Sequence, residues 1–145
     1  MSTAAVMEAP QAARSKSSQA AQRKRNANKE LGKRGENAAA RFLYRQGYDI
    51  VERNWKCRFG EADIIARDGS TLVFVEVKTR SGIERGFPSE AVDAKKRDTY
   101  EKIALSYVAD HAETEAVVRF DVVAIVAVAP DRALIRHHIS AFSVI

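Results

Sequence analysis

The sequence contains one cysteine among its 145 residues, whereas small secreted proteins usually depend on several disulfides. A single thiol excludes an internal disulfide framework, so Cys57 fits a reducing compartment. No apolar run approaches the roughly 18 residues that a membrane-spanning helix needs. The N-terminus also lacks the charged and apolar regions of a secretory signal peptide. We therefore expect a cytoplasmic protein without a membrane segment.

Acidic residues are scarce at the N-terminus, and this scarcity accounts for the whole net charge of +5. Residues 1–29 contain six Lys and Arg against one Glu, which gives 6 − 1 = +5. Residues 30–145 contain 18 basic and 18 acidic residues and are neutral overall. The basic pI of about 9.5 therefore does not indicate a basic folded domain.

The N-terminal segment also lacks aromatic residues and any apolar periodicity. Such a segment buries too little surface to offset the entropy lost on ordering. We predict a disordered tail at 1–29 and one domain at 30–145. Three roles for the tail stay open: a solvated segment, a basic arm on nucleic-acid phosphates, or an organelle transit peptide, which its weak amphipathic pattern disfavours.

The rest of the chain predicts an α/β domain in which helices flank a mixed sheet. Asp68-Gly69 is typical of a tight hairpin turn, and Pro130-Asp131 suits another. The predicted elements are a helix at 31–46 closed by Gly47, strands at 48–58, 61–67 and 71–78, a loop at 82–88, a helix from the N-cap Ser89 to about 109, and strands at 119–129 and 132–138.

The third predicted strand carries the first candidate site residues. Glu76 and Lys78 share one face of an otherwise apolar strand, where charges are costly unless they pair or bind a metal. Across the hairpin, Asp63 falls near the same end of the sheet as Glu76. Two such carboxylates form an oxygen site suited to Mg²⁺ or Mn²⁺, and Lys78 is placed to act on a water or a phosphate.

The first helix adds a fourth group, because Glu36 shares a helix face with Ala40 and Leu43. An ion pair between Glu76 and Lys78 would by itself explain those two charges. With Asp63 and Glu36 added, a metal site is the favoured interpretation.

The chain resembles the bacterial YraN family, which belongs to the PD-(D/E)xK nuclease superfamily. The YraN family is related in fold to archaeal Holliday-junction resolvases. The resemblance implies a restriction-endonuclease-like αβββαβ core. The residues that carry it are GKRGENAA (32–39), GYDIVERNW (47–55), GEADIIA (60–66), LVFVEVKTR (72–80), GFPSEAV (86–92), Lys96 and RFDVV (119–123).

The resemblance also implies roles for individual residues. Asp63, Glu76 and the backbone carbonyl of Val77 would bind Mg²⁺ or Mn²⁺, and Glu36 would complete the site directly or through water. Lys78 would act on the attacking water. The catalytic set is therefore Glu36, Asp63, Glu76 and Lys78.

Four cations are candidate nucleic-acid ligands. The resemblance places Arg80 and Lys96 near the substrate phosphates. Arg34, Arg58 and Arg80 either form a phosphate-binding rim or are ordinary solvated charges.

Other polar residues have structural explanations. Asp121 interrupts an apolar strand and is expected to pair with Arg119 or another base. Glu61 either supports the site or is an exposed strand residue. His137 and His138 point to opposite faces of one strand and cannot bind one metal together.

The predicted function is metal-dependent hydrolysis of phosphodiester bonds in DNA, with branched or otherwise structured DNA as one candidate substrate. Two other classes stay open: a nucleic-acid-binding module that does not cleave, and a scaffold for protein partners. Because a junction substrate has two-fold symmetry, a homodimer is compatible with this function.

Overall fold

The computed structural model describes residues 11–111 and 117–142, with side chains described from residue 16. One mixed sheet has a helix on each face. This confirms the predicted fold class and the order of the elements. The elements are α1 (Gln11–Arg45), β1 (Asp49–Cys57), β2 (Gly60–Asp68), β3 (Thr71–Ser81), α2 (Ala94–Asp110), β4 (Val117–Ala129) and β5 (Arg132–Phe142).

The five strands lie in sequence order, β1-β2-β3-β4-β5. Only β3 and β4 are parallel, because α2 carries the chain back across the sheet between them. The predicted hairpin between β2 and β3 is present. Asp68 pairs with Thr71, so the turn is formed by Gly69 and Ser70, one residue later than predicted.

The alternation of side chains along β3 separates two apolar layers. Val73 and Val75 pack with Leu43 of α1, whereas Leu72 and Phe74 pack on the face that α2 covers. All four of these β3 side chains are fully buried. β3 is therefore a central strand that is packed on both faces, and this packing fixes the backbone that carries the polar residues near its end.

The prediction of a disordered tail is wrong for residues 11–29, which form the first part of α1. Ala, Gln, Lys and Arg are good helix formers, and they continue a helix that tertiary packing stabilises farther along. Gln22 also donates a hydrogen bond to Asn26, one turn away. Side chains 16–30 are nevertheless exposed, as a segment with so little apolar surface requires. Residues 1–10 lie outside the described chain, and the domain boundary at residue 30 stays a prediction.

The second helix begins four residues later than predicted. Asp93, rather than Ser89, is the N-cap, and its carboxylate accepts a hydrogen bond from the Lys96 backbone N–H. Ser89 instead accepts from the Ala91 N–H within a loop that spans 82–93. Across the described ranges, neither helix is both long enough and apolar enough to cross a membrane.

Candidate active site

Asp63 and Glu76 face each other where β2 and β3 separate. The last pair in their register is Ile64 with Val75, and the two acids are the next residues along each strand. Opposed residues of antiparallel strands point to the same side, so both carboxylates share one face. Asp63 Oδ2 accepts a hydrogen bond from the Val77 N–H at 2.8 Å. The Val77 carbonyl, which points to the same side of the strand as its N–H, also faces β2.

Two residues of α2 orient the Glu76 carboxylate. The Tyr100 hydroxyl donates a hydrogen bond to Glu76 Oε2, and Lys96 Nζ lies 3.5 Å from Oε1. Tyr100 is fully buried, and this burial, together with the charge of Glu76, raises the pKa of its hydroxyl well above 10. The hydroxyl therefore keeps its proton and remains a donor to Glu76.

Asp63 lies in surroundings that disfavour its negative charge. Burial is the main cause that raises the pKa of Asp63 to about 7, and the charges of Glu76 and Glu36 add to it. The Val77 N–H and the Lys96 ammonium act in the opposite direction without cancelling the effect. A cation placed between Asp63 and Glu76 would relieve this repulsion.

The pKa of Asp63 has a consequence for stability that can be measured. Because the folded protein holds this proton up to about pH 7 and the unfolded chain only to about 3.8, stability falls as pH rises between these values. We expect Asp63→Asn to raise the free energy of unfolding at pH 8 by up to about 4 kcal/mol without metal, and to change it little near pH 4. Urea denaturation with a chelator at both pH values measures this difference. A variant no more stable than wild type at pH 8 would contradict it.

Glu36 approaches the site from the opposite side of the sheet. Its Oε2 accepts a hydrogen bond at 3.0 Å from Asn54 Nδ2. The neighbouring Gly35 allows α1 to lie close to the end of β3, because a Cβ there would come within 1.9 Å of the Thr79 hydroxyl oxygen. The helix thus brings Glu36 near enough to contribute to the pKa of Asp63.

The three acids do not form one compact group. Among the described residues, no three Asp, Glu, His or Cys side chains lie close enough to bind the same metal ion. Mg²⁺, however, is usually held by one or two carboxylates and several waters. Asp63 and Glu76 fit that pattern, whereas Glu36 as a ligand stays a prediction.

Lys78 is held by the loop that follows β3. Its Nζ donates hydrogen bonds to the Ser89 carbonyl at 2.7 Å and to the Ala91 carbonyl at 2.5 Å. An ammonium group has three donors, so one stays free for a water or a phosphate. The alternative of a structural Glu76–Lys78 pair is not what forms, since the cation on Glu76 is Lys96.

The other predicted phosphate ligands lie in separate places. Arg80 donates to three carbonyls of the loop at 85–87 and braces it. Arg34 donates to the Pro130 carbonyl at 2.6 Å, and Arg58 lies over the Phe59 ring. Lys96 alone among the four contacts one of the paired carboxylates. Their roles toward nucleic acid stay predictions.

Two residues of the site were missed by sequence reasoning. Tyr100 lies one helical turn after Lys96, so the spacing of α2 already placed its hydroxyl beside that candidate. Asn54 has a φ of 51°, in the region that asparagine tolerates better than most residues. In the sequence, Asn54 is a polar residue that interrupts the predicted strand β1, and this interruption could have drawn attention to it.

A family model and several known proteins that match this chain carry the same family description. A family model described as "Uncharacterised protein family UPF0102" matches residues 35–125. A UPF0102 protein of Nocardia farcinica is 48% identical over 107 residues, 74% of this chain and 84% of the relative. Another from Geobacter sulfurreducens is 48% identical over 115 residues, 79% and 90% of the two chains. A third, from Caldicellulosiruptor saccharolyticus, is 45% identical over 95 residues, 66% and 80% of the two chains.

Proposed function

The chain belongs to the UPF0102 (YraN) family, and we propose that it is a Mg²⁺- or Mn²⁺-dependent deoxyribonuclease that hydrolyses phosphodiester bonds in DNA. Branched or otherwise structured DNA is one candidate substrate. The observation that carries this proposal is the position of Asp63 and Glu76, which follow the last strand pair, Ile64 with Val75, and lie close enough for the charge of Glu76 to raise the pKa of Asp63. The raised pKa of Asp63 supports it, because burial and the charge of Glu76 both disfavour the ionised form of Asp63, and a bound divalent cation would offset both effects.

The donor set suits a hard divalent cation. Asp63 and Glu76 offer carboxylate oxygens, the Val77 carbonyl faces the same side, and hydrogen bonds hold both carboxylates in place. Oxygen ligands of this kind favour Mg²⁺ and Mn²⁺ over softer metals. When bound, such an ion supplies Lewis acidity toward the phosphate and lowers the pKa of a water.

The protein's own groups hold and orient the reactants. The Tyr100 hydroxyl fixes the rotamer of Glu76, and the Val77 N–H fixes that of Asp63. Two carbonyls of the 82–93 loop position the Lys78 ammonium, and its free donor orients the attacking water or stabilises charge that develops on the phosphate. Lys96 neutralises part of the Glu76 charge until substrate binds.

Turnover is the test of this proposal. Labelled duplex, single-stranded, flapped and branched DNA are incubated with the full chain and Mg²⁺ or Mn²⁺, with chelator controls. We expect metal-dependent cleavage of at least one substrate, and the preferred substrate identifies the DNA structure. Absence of cleavage on all four, with the protein folded and metal present, would overturn the proposal.

A nucleic-acid-binding module that does not cleave is the second candidate. The position of Glu36 favours it, because among the described residues no third acid lies close enough to bind the same metal ion as Asp63 and Glu76. The same assay separates the two candidates, since a module of this kind binds the labelled DNA and leaves it intact. A homodimer that matches a two-fold symmetric junction stays a prediction.

A further inference from the structure

A cleft of about 350 Å³ lies between α1 and the turn that joins β4 to β5. Three of its basic residues, Arg34, Arg41 and Arg45, come from α1, and Arg132 comes from β5. The acid that lines it is Asp131, so the cleft has a formal charge of 4 − 1 = +3. This charge contrasts with the neutral total of residues 30–145.

The arginines of the cleft continue as one stripe along α1. At about 100° per residue, Arg41 and Arg45 lie within about 20° of Arg34 around the helix. Arg23 lies eleven residues before Arg34 and Lys16 lies eighteen residues before it, so both fall within the same arc of about 20° on either side of Arg34. The remaining position of the arc in this range is Ala27, so the stripe contains no acid. At about 1.5 Å per residue it is about 44 Å long.

The cations of the stripe are available to a ligand. All five are exposed, and none forms an ion pair with another described residue. Arg34 uses one donor on the Pro130 carbonyl and keeps the others. A row of unpaired cations repels itself, which favours binding of a polyanion.

The N-terminal part of α1, which carries part of the stripe, extends beyond the sheet at the same end as the candidate active site. Gly35 lies against Thr79, near the last residue of β3. Tyr48, just beyond the other end of α1, hydrogen-bonds to Arg119 near the start of β4. The exposed part of α1 at 16–30 therefore projects past the edge where Glu76 and Lys78 lie.

We propose that this stripe, Lys16, Arg23, Arg34, Arg41 and Arg45, together with the cleft, binds the sugar–phosphate backbone of duplex DNA. Guanidinium groups match phosphate geometry, and a straight row of about 44 Å corresponds to about 13 base pairs. A membrane-surface helix would need a broad apolar face beside its cations, and residues 16–30 do not provide one. The inference takes its ligand class from the proposed function but does not depend on cleavage.

Salt-dependent binding tests the stripe. Affinity of the full chain for a labelled duplex of about 20 base pairs is measured by fluorescence anisotropy with chelator present, between about 50 and 200 mM salt. Each lost phosphate contact lowers the slope of log K against log salt by about 0.9. We expect Arg41→Gln/Arg45→Gln to lower it by about 1.8, so wild type should lose about twelvefold more affinity than the variant over this range.

A matched control lies on the opposite face of the same helix. Arg25→Gln/Lys29→Gln removes two charges about 140–180° from the stripe, and we expect a change in slope below about 0.5. We expect Lys16→Gln/Arg23→Gln to lower the slope by about 1.8, as for Arg41→Gln/Arg45→Gln. Equal losses in the stripe and control variants, or no loss in either, would overturn the proposal, as would stripe-dependent binding to anionic vesicles without binding to DNA. Binding that follows the stripe without any cleavage would contradict the nuclease and leave this inference in place.

Discussion

Glu76→Gln is expected to lower kcat/KM for DNA cleavage by at least about 100-fold. The substitution keeps the size of the side chain and an acceptor for the Tyr100 hydroxyl but removes the charge that a divalent cation needs. It also removes one of the charges that raise the pKa of Asp63, so that pKa should fall. Initial rates over a range of Mg²⁺ or Mn²⁺ concentrations measure the effect.

Glu61→Gln is the matched control for this variant. Glu61 lies on β2 two residues before Asp63, and its side chain is exposed. The same change of charge there should alter kcat/KM by less than about threefold. Thermal unfolding of both variants establishes that they are folded. Comparable losses in the two variants would contradict a specific role for Glu76.

Asp121→Ala is expected to lower the free energy of unfolding by about 3–5 kcal/mol, which is the cost of breaking a buried ionic network. Asp121 is fully buried and accepts two hydrogen bonds from Arg119, one from His137 Nε2 and one from the Ser140 N–H. The expected pairing of Asp121 with Arg119 is thus confirmed. Alanine would leave these donors without their acceptor, and urea denaturation measures the loss.

Asp68→Ala removes a second carboxylate that pairs with Arg119. Arg119 Nη1 lies 3.0 Å from Asp68 Oδ2, but the Asp68 side chain is 47% exposed. Exposed pairs contribute little, so we expect a loss below about 1 kcal/mol. Losses of similar size in the two variants would show that burial of Asp121 is not what makes its network stabilising.

The Asp121 network also predicts a response to acid. Burial alone would raise the pKa of Asp121, but hydrogen bonds from His137, Arg119 and the Ser140 N–H together lower it. The stabilisation is therefore present above the ordinary pKa of 3.8 and is lost as pH falls through the lower folded-state value. The stability difference between wild type and Asp121→Ala should shrink over that interval.

The sheet was predictable because its determinants are local. Alternating valines, leucine and phenylalanine predicted a central β3, and the turn signal at Asp68-Gly69 predicted the hairpin that brings Asp63 opposite Glu76. An error of one residue in the turn did not change which end of the sheet carries the acids. Moving the turn by one residue shifts the strand pairing by two residues, and this keeps both acids on the same face because side chains alternate with a period of two.

Features that depend on tertiary contacts were not predictable from the pattern. The start of α2 is decided by competition between Ser89 and Asp93, and both are good N-cap residues. The direction of Lys78 toward carbonyls at 89 and 91 depends on the path of a long loop. The helix at 11–29 combines residues of good helix propensity with continuation from a packed helix, whereas the lack of apolar residues in this segment predicted disorder.

The most direct test of the account is a calorimetric titration of the full chain with Mn²⁺. Wild type, Asp63→Ala, Glu76→Ala and the control Glu61→Gln are compared at one pH, with folding of each checked by thermal unfolding. The account predicts saturable binding in wild type and in the Glu61 variant, and affinity at least about tenfold weaker in each of the other two. Unchanged Mn²⁺ affinity in both Asp63→Ala and Glu76→Ala would contradict it.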